Sequence, residues 1–243
     1  MFRKIKNLFK PQDEKQVDLQ FFKKNETSLN PSKEKQFLIS LSQIIGEHHD
    51  YYTNSLTAGT DIEFYTEKME NWYEITNNET ADFFIKTRLR EGFRDYYNEI
   101  VKQFIQTNGN ASLLHTEEDD IEDLQIYFDN IKDVLKLREG QFWFANSLGI
   151  TDAFDCGRLA YVIRSCYTIG YLSEKDAWDY LDEVGEIASE KFSHWNEYAK
   201  SYLLGRAIWC GDDGSFENFS EVSRYLVSSP ISPWMDNFIT VNR

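Results

Sequence analysis

Residues 93–105 read FRDYYNEIVKQFI, and their spacing decides the fold class. Phe93, Tyr96, Tyr97, Ile100, Val101, Phe104 and Ile105 recur every three or four residues, the period of an amphipathic helix. Asn108-Gly109 then supplies a helix stop. Gly92 separates this helix from an earlier one, which Thr76 or Asn77 can cap and which carries Ala81, Phe84, Ile85 and Leu89.

The same period extends in both directions. Upstream, Asn30-Pro31 opens a helix carrying Phe37, Leu38, Leu41, Ile44, Ile45 and His48, which should end near Tyr52 before a loop at 53–60 (TNSLTAGT). Downstream, the acidic run Glu117 to Asp123 suits a helix start, and Ile121, Leu124, Phe128, Ile131 and Leu135 follow at helical spacing. Thr151 can cap a helix from Asp152 to Ile169, which Gly170 ends. Ser173-x-x-Asp176 resembles a capping box ahead of Ala177, Trp178, Leu181 and Val184. Ser193 can cap a helix with Trp195, Tyr198, Tyr202 and Trp209, which Gly211 ends. A last helix runs from about Phe216 to Leu226, after which Pro230 and Pro233 favour extended chain. No segment of useful length shows the period of a strand. The expected fold is therefore all-α, with seven to nine helices in one domain over 30–229. Residues 1–29 read as a flexible basic tail and 230–243 as an extended one.

Composition bounds the function. The 243 residues carry 41 acids against 26 Lys and Arg, a formal charge of −15, and are 41% hydrophobic and 16% aromatic. That apolar content fills a core and excludes an intrinsically disordered chain. The negative field repels a phosphate backbone, so nucleic-acid binding is not expected, and it favours a basic protein partner. Cys156, Cys166 and Cys210 are odd in number and lack a CxxC spacing, which reads as reduced core residues of a cytoplasmic protein. No apolar run approaches the ~20 residues of a membrane span. Residues 1–10 place Met1, Phe2, Ile5, Leu8 and Phe9 on one helical face with Arg3, Lys4, Lys6 and Lys10 off it. Such a segment suits peripheral contact with an anionic membrane, or docking on the protein's own acidic body.

No nucleotide-binding glycine loop and no hydrolase nucleophile elbow is present. His48-His49-Asp50 lacks the usual metal-ligand spacings, and His115 near Glu117–Asp120 lacks the pattern of a calcium loop. No cofactor, metal or catalytic residue is expected. Ser193-His194 are adjacent, so their side chains diverge and form no nucleophile–base pair.

The unusual residues are charges on apolar helix faces. On a helical wheel Asp155 and Arg158 fall within the sector of Phe154, Leu159, Val162 and Cys166, whereas Arg164 points to the opposite, solvent side. Arg206 falls about 20° from Trp195, on the aromatic face that Tyr202 and Trp209 also share. Glu174 lies close to the Trp178 stripe. Asp155 and Glu174 against Arg158 and Arg206, with Trp178, Trp195, Tyr202 and Trp209 around them, make a neutral set. Two readings are open: bidentate pairs that lock three helices in register, or arginines holding an anionic ligand in a pocket. The first implies that Arg206→Ala costs about 3–5 kcal/mol and Arg164→Ala less than about 1 kcal/mol.

The same stretch carries a family pattern. Asp155, Arg158, Arg164, Gly170, Tyr171, Ala177, Trp178, Trp195, Tyr202, Gly205, Arg206 and Trp209 match the motifs of domain of unknown function 1266 over 150–211. Phe154, Cys166 and Asp176 depart from the pattern. The chain resembles this bacterial family, which includes YbeU-like proteins, and the resemblance implies a helical cytosolic protein without implying an activity. Three functions compete. A non-enzymatic module, for example an immunity-type protein, would bind a basic toxin or effector through acidic faces such as Glu117–Asp133 and Glu174–Glu190. An enzyme or sensor would take an anionic small molecule at Arg158/Arg206. Recruitment to a membrane surface would use residues 1–10. The sequence does not set the oligomeric state.

Overall fold

The computed structural model describes residues 22–114, 118–235 and 238. The amphipathic segment 1–10, His115 and Glu117 lie outside them. All regular structure among the described residues is helical. The order is α1 (Lys33–Ser40), α2 (Gln43–Glu47), α3 (Ile62–Tyr73), α4 (Asn78–Arg90), α5 (Arg94–Thr107), a 3₁₀ turn (Ala111–Leu113), α6 (Glu118–Lys136), α7 (Arg138–Phe144), α8 (Asp152–Thr168), α9 (Glu174–Lys191), α10 (Trp195–Cys210) and α11 (Phe216–Ser228).

Helix α8 is the hub. It touches α2, α3, α4, α5, α9 and α10, and Ala153, Phe154, Ala160, Tyr161, Val162, Ile163 and Cys166 on it are buried in all directions. A helix that is apolar nearly all round can satisfy itself only by being surrounded. It crosses α10 closely because each helix offers a glycine to the other's ring. A Cβ on Gly157 would lie 2.8 Å from the Tyr202 ring, and one on Gly205 would lie 2.4 Å from Phe154 Cβ.

The N-terminal amides of α8 are capped by its neighbours. Thr151 occupies the N-cap position but makes no side-chain cap. Instead Asn98 of α5 accepts from Thr151 N at 2.7 Å and donates to Asp152 at 2.8 Å, while Ser201 of α10 accepts from Ala153 N at 3.1 Å. Among the other expected caps, Asn77 forms a full capping box with Thr80. Ser173 accepts from Asp176 N at 3.1 Å, and the Asp176 carboxylate returns to the Ser173 hydroxyl. Ser193 is not a cap: α10 starts one residue later, and Ser193 N donates to Glu197.

The helix expected from Pro31 towards Tyr52 is two, α1 and α2. Ser42 sits at the break and donates its hydroxyl back to Ile39 O at 3.0 Å, a local bond that competes with the helical ladder. Helices α3 and α7 are not marked by the stripes above; for α3 the overlooked signal is Asp61, which caps Phe64 N at 3.0 Å. Phe22 is buried and stacks on Tyr225 at 5.1 Å. After α11 two turns bring Trp234 back into the core, stacked on Trp195 at 4.5 Å.

Candidate functional site

The four charges grouped by the sequence do not meet. Glu174 is exposed in the first turn of α9, where it accepts from Trp178 Nε1 at 3.3 Å. Lys35 lies over that Trp178 ring at 4.4 Å. Trp195 belongs to the Trp234 stack and not to the arginines. The wheel fails here because it orders residues within one helix and carries no information about which faces of different helices oppose each other.

Arg206 is buried as expected, at 8% exposure, but its partners are local. It pairs with Asp213 at 3.1 Å, donates to Ser215, and packs over Phe219 at 3.8 Å. All three lie in the turn after α10 or at the start of α11, so Arg206 closes the α10–α11 corner and reaches neither Asp155 nor Glu174. Burial pushes the Asp213 carboxyl upward, yet Arg206 beside it leaves it below its usual range. The missed signal is an acid only seven residues downstream of Arg206.

Arg164 is the larger correction. It is fully buried, not solvent-facing. Residues 51–58 wrap over that side of α8, and its guanidinium donates to Tyr52 O at 2.6 Å, Ser42 Oγ at 2.7 Å and Ser55 O at 2.8 Å. It also packs on Tyr51 at 4.9 Å. Burial lowers its pKa to about 10, which still leaves it charged at neutral pH. A wheel assigns a solvent side to every helix, and α8 has none.

Asp155 and Arg158 do share a site. Asp155 accepts from Arg94 N at 2.7 Å, which caps α5, whose own N-cap residue Phe93 has no oxygen to offer. Gly92 permits this approach, since a Cβ there would stand 2.4 Å from Asp155 Oδ2. Burial raises the Asp155 pKa, opposed by Arg158, Arg94 and Arg88 around it. Arg94 is committed elsewhere, donating to Leu89 O at 2.7 Å and Arg88 O at 3.4 Å at the C-terminal end of α4.

Arg88 and Arg158 differ from the other arginines. Arg88 stacks over Phe93 at 4.4 Å, and Arg158 stacks over Phe154 at 5.0 Å and Trp209 at 5.1 Å. Neither forms an ion pair among the described residues. Burial acts to lower the Arg158 pKa, but its polar neighbours, the Tyr73 and Tyr97 hydroxyls and Asp155, together raise it. Both arginines line a cleft between α3, α4, α5 and α8, walled by Tyr73, Phe84, Phe93 and Leu159. Of the expected aromatics, Trp209 stands under Arg158, and Tyr202 packs on Phe154 at 5.4 Å. Arg88 was legible in principle, because it follows Phe84 by four residues on the stripe that carries Ile85 and Leu89.

A second surface lies between α4 and α9. An open groove of about 340 Å³ is lined by Leu89, Ile187, Lys86, Arg90 and the acids Glu183, Glu186 and Glu190. Lys86 is paired with Asp82 at 2.8 Å and Arg90 with Glu91 at 2.9 Å. The three α9 acids are exposed and form no ion pair among the described residues. Nearby, burial and then repulsion by Asp179 and Glu186 raise the Asp182 pKa. No group of three or more His, Cys, Asp or Glu suited to a metal occurs among the described residues, and no helix there is long and apolar enough to cross a membrane.

These features define an all-α protein organised around one buried, charge-bearing helix. A family model described as "Protein of unknown function (DUF1266)" matches residues 68–238. The match spans more than two thirds of the chain, and the protein belongs to this family. It contains every residue of the Arg88–Arg158 cleft, whereas the 51–58 segment that holds Arg164 lies outside it. Neither the comparison with curated proteins nor that with solved structures gives a match.

Proposed function

We propose that the protein is a non-enzymatic, cytoplasmic interaction module that seats a basic segment of a partner protein in the α4–α9 groove. The carrying observation is the set of unpaired carboxylates, Glu183, Glu186 and Glu190, over a floor of Leu89 and Ile187. A partner's Lys or Arg can lay its stem on those two side chains and present its head to the acids. The cations on the opposite wall are held by Asp82 of α4 and by Glu91 at its C-cap, so they leave the α9 carboxylates free. Like charges spaced three and four residues apart cost a helix about 0.2–0.5 kcal/mol per pair, and a basic partner removes that cost. The net charge of −15 adds long-range steering. Neutralising a basic toxin or effector is the concrete version of this role.

The test is binding of a labelled, lysine-rich helical peptide. Reversing Glu183, Glu186 and Glu190 to Lys should weaken binding by about tenfold or more. The same charge change at exposed Asp212, Glu217 and Glu221 should weaken it much less. Equal losses in the two variants would mean that bulk charge alone attracts the peptide, and the groove would have no role.

A further inference from the structure

We propose that the cleft between α3, α4, α5 and α8 is a binding site for a small organic monocarboxylate, gripped between the guanidinium edges of Arg88 and Arg158. This site is separate from the α4–α9 groove and does not depend on a basic partner.

The state of the arginines carries the inference. Arg164 donates to carbonyls and a hydroxyl, Arg206 to Asp213 and Ser215, and Arg94 to the last carbonyls of α4. Arg88 and Arg158 instead lie over aromatic rings and form no ion pair among the described residues. A guanidinium seated over a ring and not engaged by a protein carboxylate keeps N–H donors that can take a carboxylate bidentately.

Charge sets the valence of the ligand. Arg88, Arg94 and Arg158 surround one carboxylate, Asp155. The C-terminal end of α4 contributes about half a negative charge where Arg94 meets it. By formal charge, between one and two positive charges remain without a carboxylate, although Tyr73 and Tyr97 also favour the charge on Arg158. A monoanion brings that surplus close to zero.

Size and lining set its shape. About 30 Å³ of the cleft is wide enough for the centres of water-sized groups. A single water needs about 10–15 Å³ on this measure, so the room suits a head of two or three atoms, such as a carboxylate. Phe84, Phe93, Leu159 and Val162 then meet whatever carries that head, which favours an apolar body. Asp155 does not occupy the place itself, because its Oδ2 is held by the first amide of α5.

The experiment is titration calorimetry of the full chain with benzoate, butyrate and inorganic phosphate. Benzoate and butyrate should each bind saturably at one site, and phosphate should bind more weakly than either. Arg88→Gln should lower benzoate affinity about tenfold or more, the loss of a bidentate charged contact. Lys102→Gln, the same charge change at an exposed site on α5, should leave it unchanged. Arg88→Lys keeps charge and stem, folds under the same packing, and should still bind several-fold more weakly than the parent. No saturable carboxylate binding, tighter binding of phosphate, or equal affinity in Arg88→Lys and the parent would each overturn the proposal.

Discussion

Replacing Arg164 by alanine should be the most damaging single truncation among the arginines of this protein, reversing the order that its helical wheel implies. Three of its hydrogen bonds are short, to Tyr52 O, Ser42 Oγ and Ser55 O at 2.6–2.8 Å, and three more contacts lie at 3.4–3.5 Å. Alanine removes all of them and leaves the Tyr52 and Ser55 carbonyls without partners, and the Ser42 oxygen without a donor although its hydroxyl still donates to Ile39 O. Each such orphan costs about 1–3 kcal/mol. Water entering the vacated space recovers part of this, so we expect a loss of about 4 kcal/mol, within the range for breaking a buried charged contact. Arg206→Ala loses Asp213, whose side chain is 35% exposed, and Ser215. Water can hydrate that carboxylate, and about 2 kcal/mol is expected. Urea denaturation followed by circular dichroism measures both. Hydrogen exchange should add that Arg164→Ala first frees the amides of 51–58, such as Ala58 N, which is held by Thr168 Oγ1 at 2.7 Å. If Arg164→Ala stays within 1 kcal/mol of the parent, or costs less than Arg206→Ala, the 51–58 segment does not depend on that guanidinium.

Three further outcomes are expected. Gly92→Ala places a methyl 2.3 Å from Arg94 Nη1 and 2.4 Å from Asp155 Oδ2. It should cost about 1–3 kcal/mol by overpacking, and a melt unchanged from the parent would contradict the tight approach. Burial holds His48 and His49 near pKa 3 and lifts Glu47 to about 7. Between about pH 4.5 and 6.5 the unfolded chain therefore binds two more protons at the histidines and one fewer at Glu47. The net one proton means stability falls by roughly 1 kcal/mol per unit as pH drops; in the double variant His48→Gln/His49→Gln only Glu47 remains, and the slope should change sign. Ser220→Ala removes the acceptor of Trp143 Nε1 at 2.8 Å and should cost about 1–3 kcal/mol in urea denaturation.

The helical class was legible because long stripes such as Phe93–Ile105 report burial directly, and α4, α5, α8, α9, α10 and α11 stand where periodicity places them. Short elements escaped for a physical reason. Arg138–Phe144 has two turns, too few for a stripe to repeat. Caps were half legible: Asn77 and Ser173 cap from within their own segments, whereas α8 and α5 are capped by Asn98 and Asp155 from other helices. The candidate site was legible as an inward-facing Asp155–Arg158 pair and no further. Its other half, Arg88 on α4, joins it only through tertiary packing. Arg206 and Glu174 were assigned to it because both are close to aromatic stripes, but one serves the α10–α11 corner and the other faces water.

Helix α8 carries four inward charges, and comparing their partners shows why one of them stands out. Asp152 holds Asn98, Asp155 holds the first amide of α5, and Arg164 holds the chain at 51–58. Asp152 and Asp155 thereby tie the hub to α5 and Arg164 ties it to the 51–58 segment, so a purely apolar α8 would leave those ends loose. Arg158 has the Tyr73 hydroxyl of α3 beside it, but it holds no backbone group and forms no ion pair among the described residues. It lies over two rings and close to Arg88, and burying its charge costs free energy that Tyr73, Tyr97 and Asp155 offset. If Arg158 served only packing, an unbranched Met would fill much of the space between Phe154 and Trp209 without that cost. Arg158→Met should therefore leave stability unchanged or raise it, as replacing buried charge by apolar volume often does, while abolishing carboxylate binding. A loss above about 2 kcal/mol in Arg158→Met, read by urea denaturation, would show instead that the guanidinium is part of the scaffold.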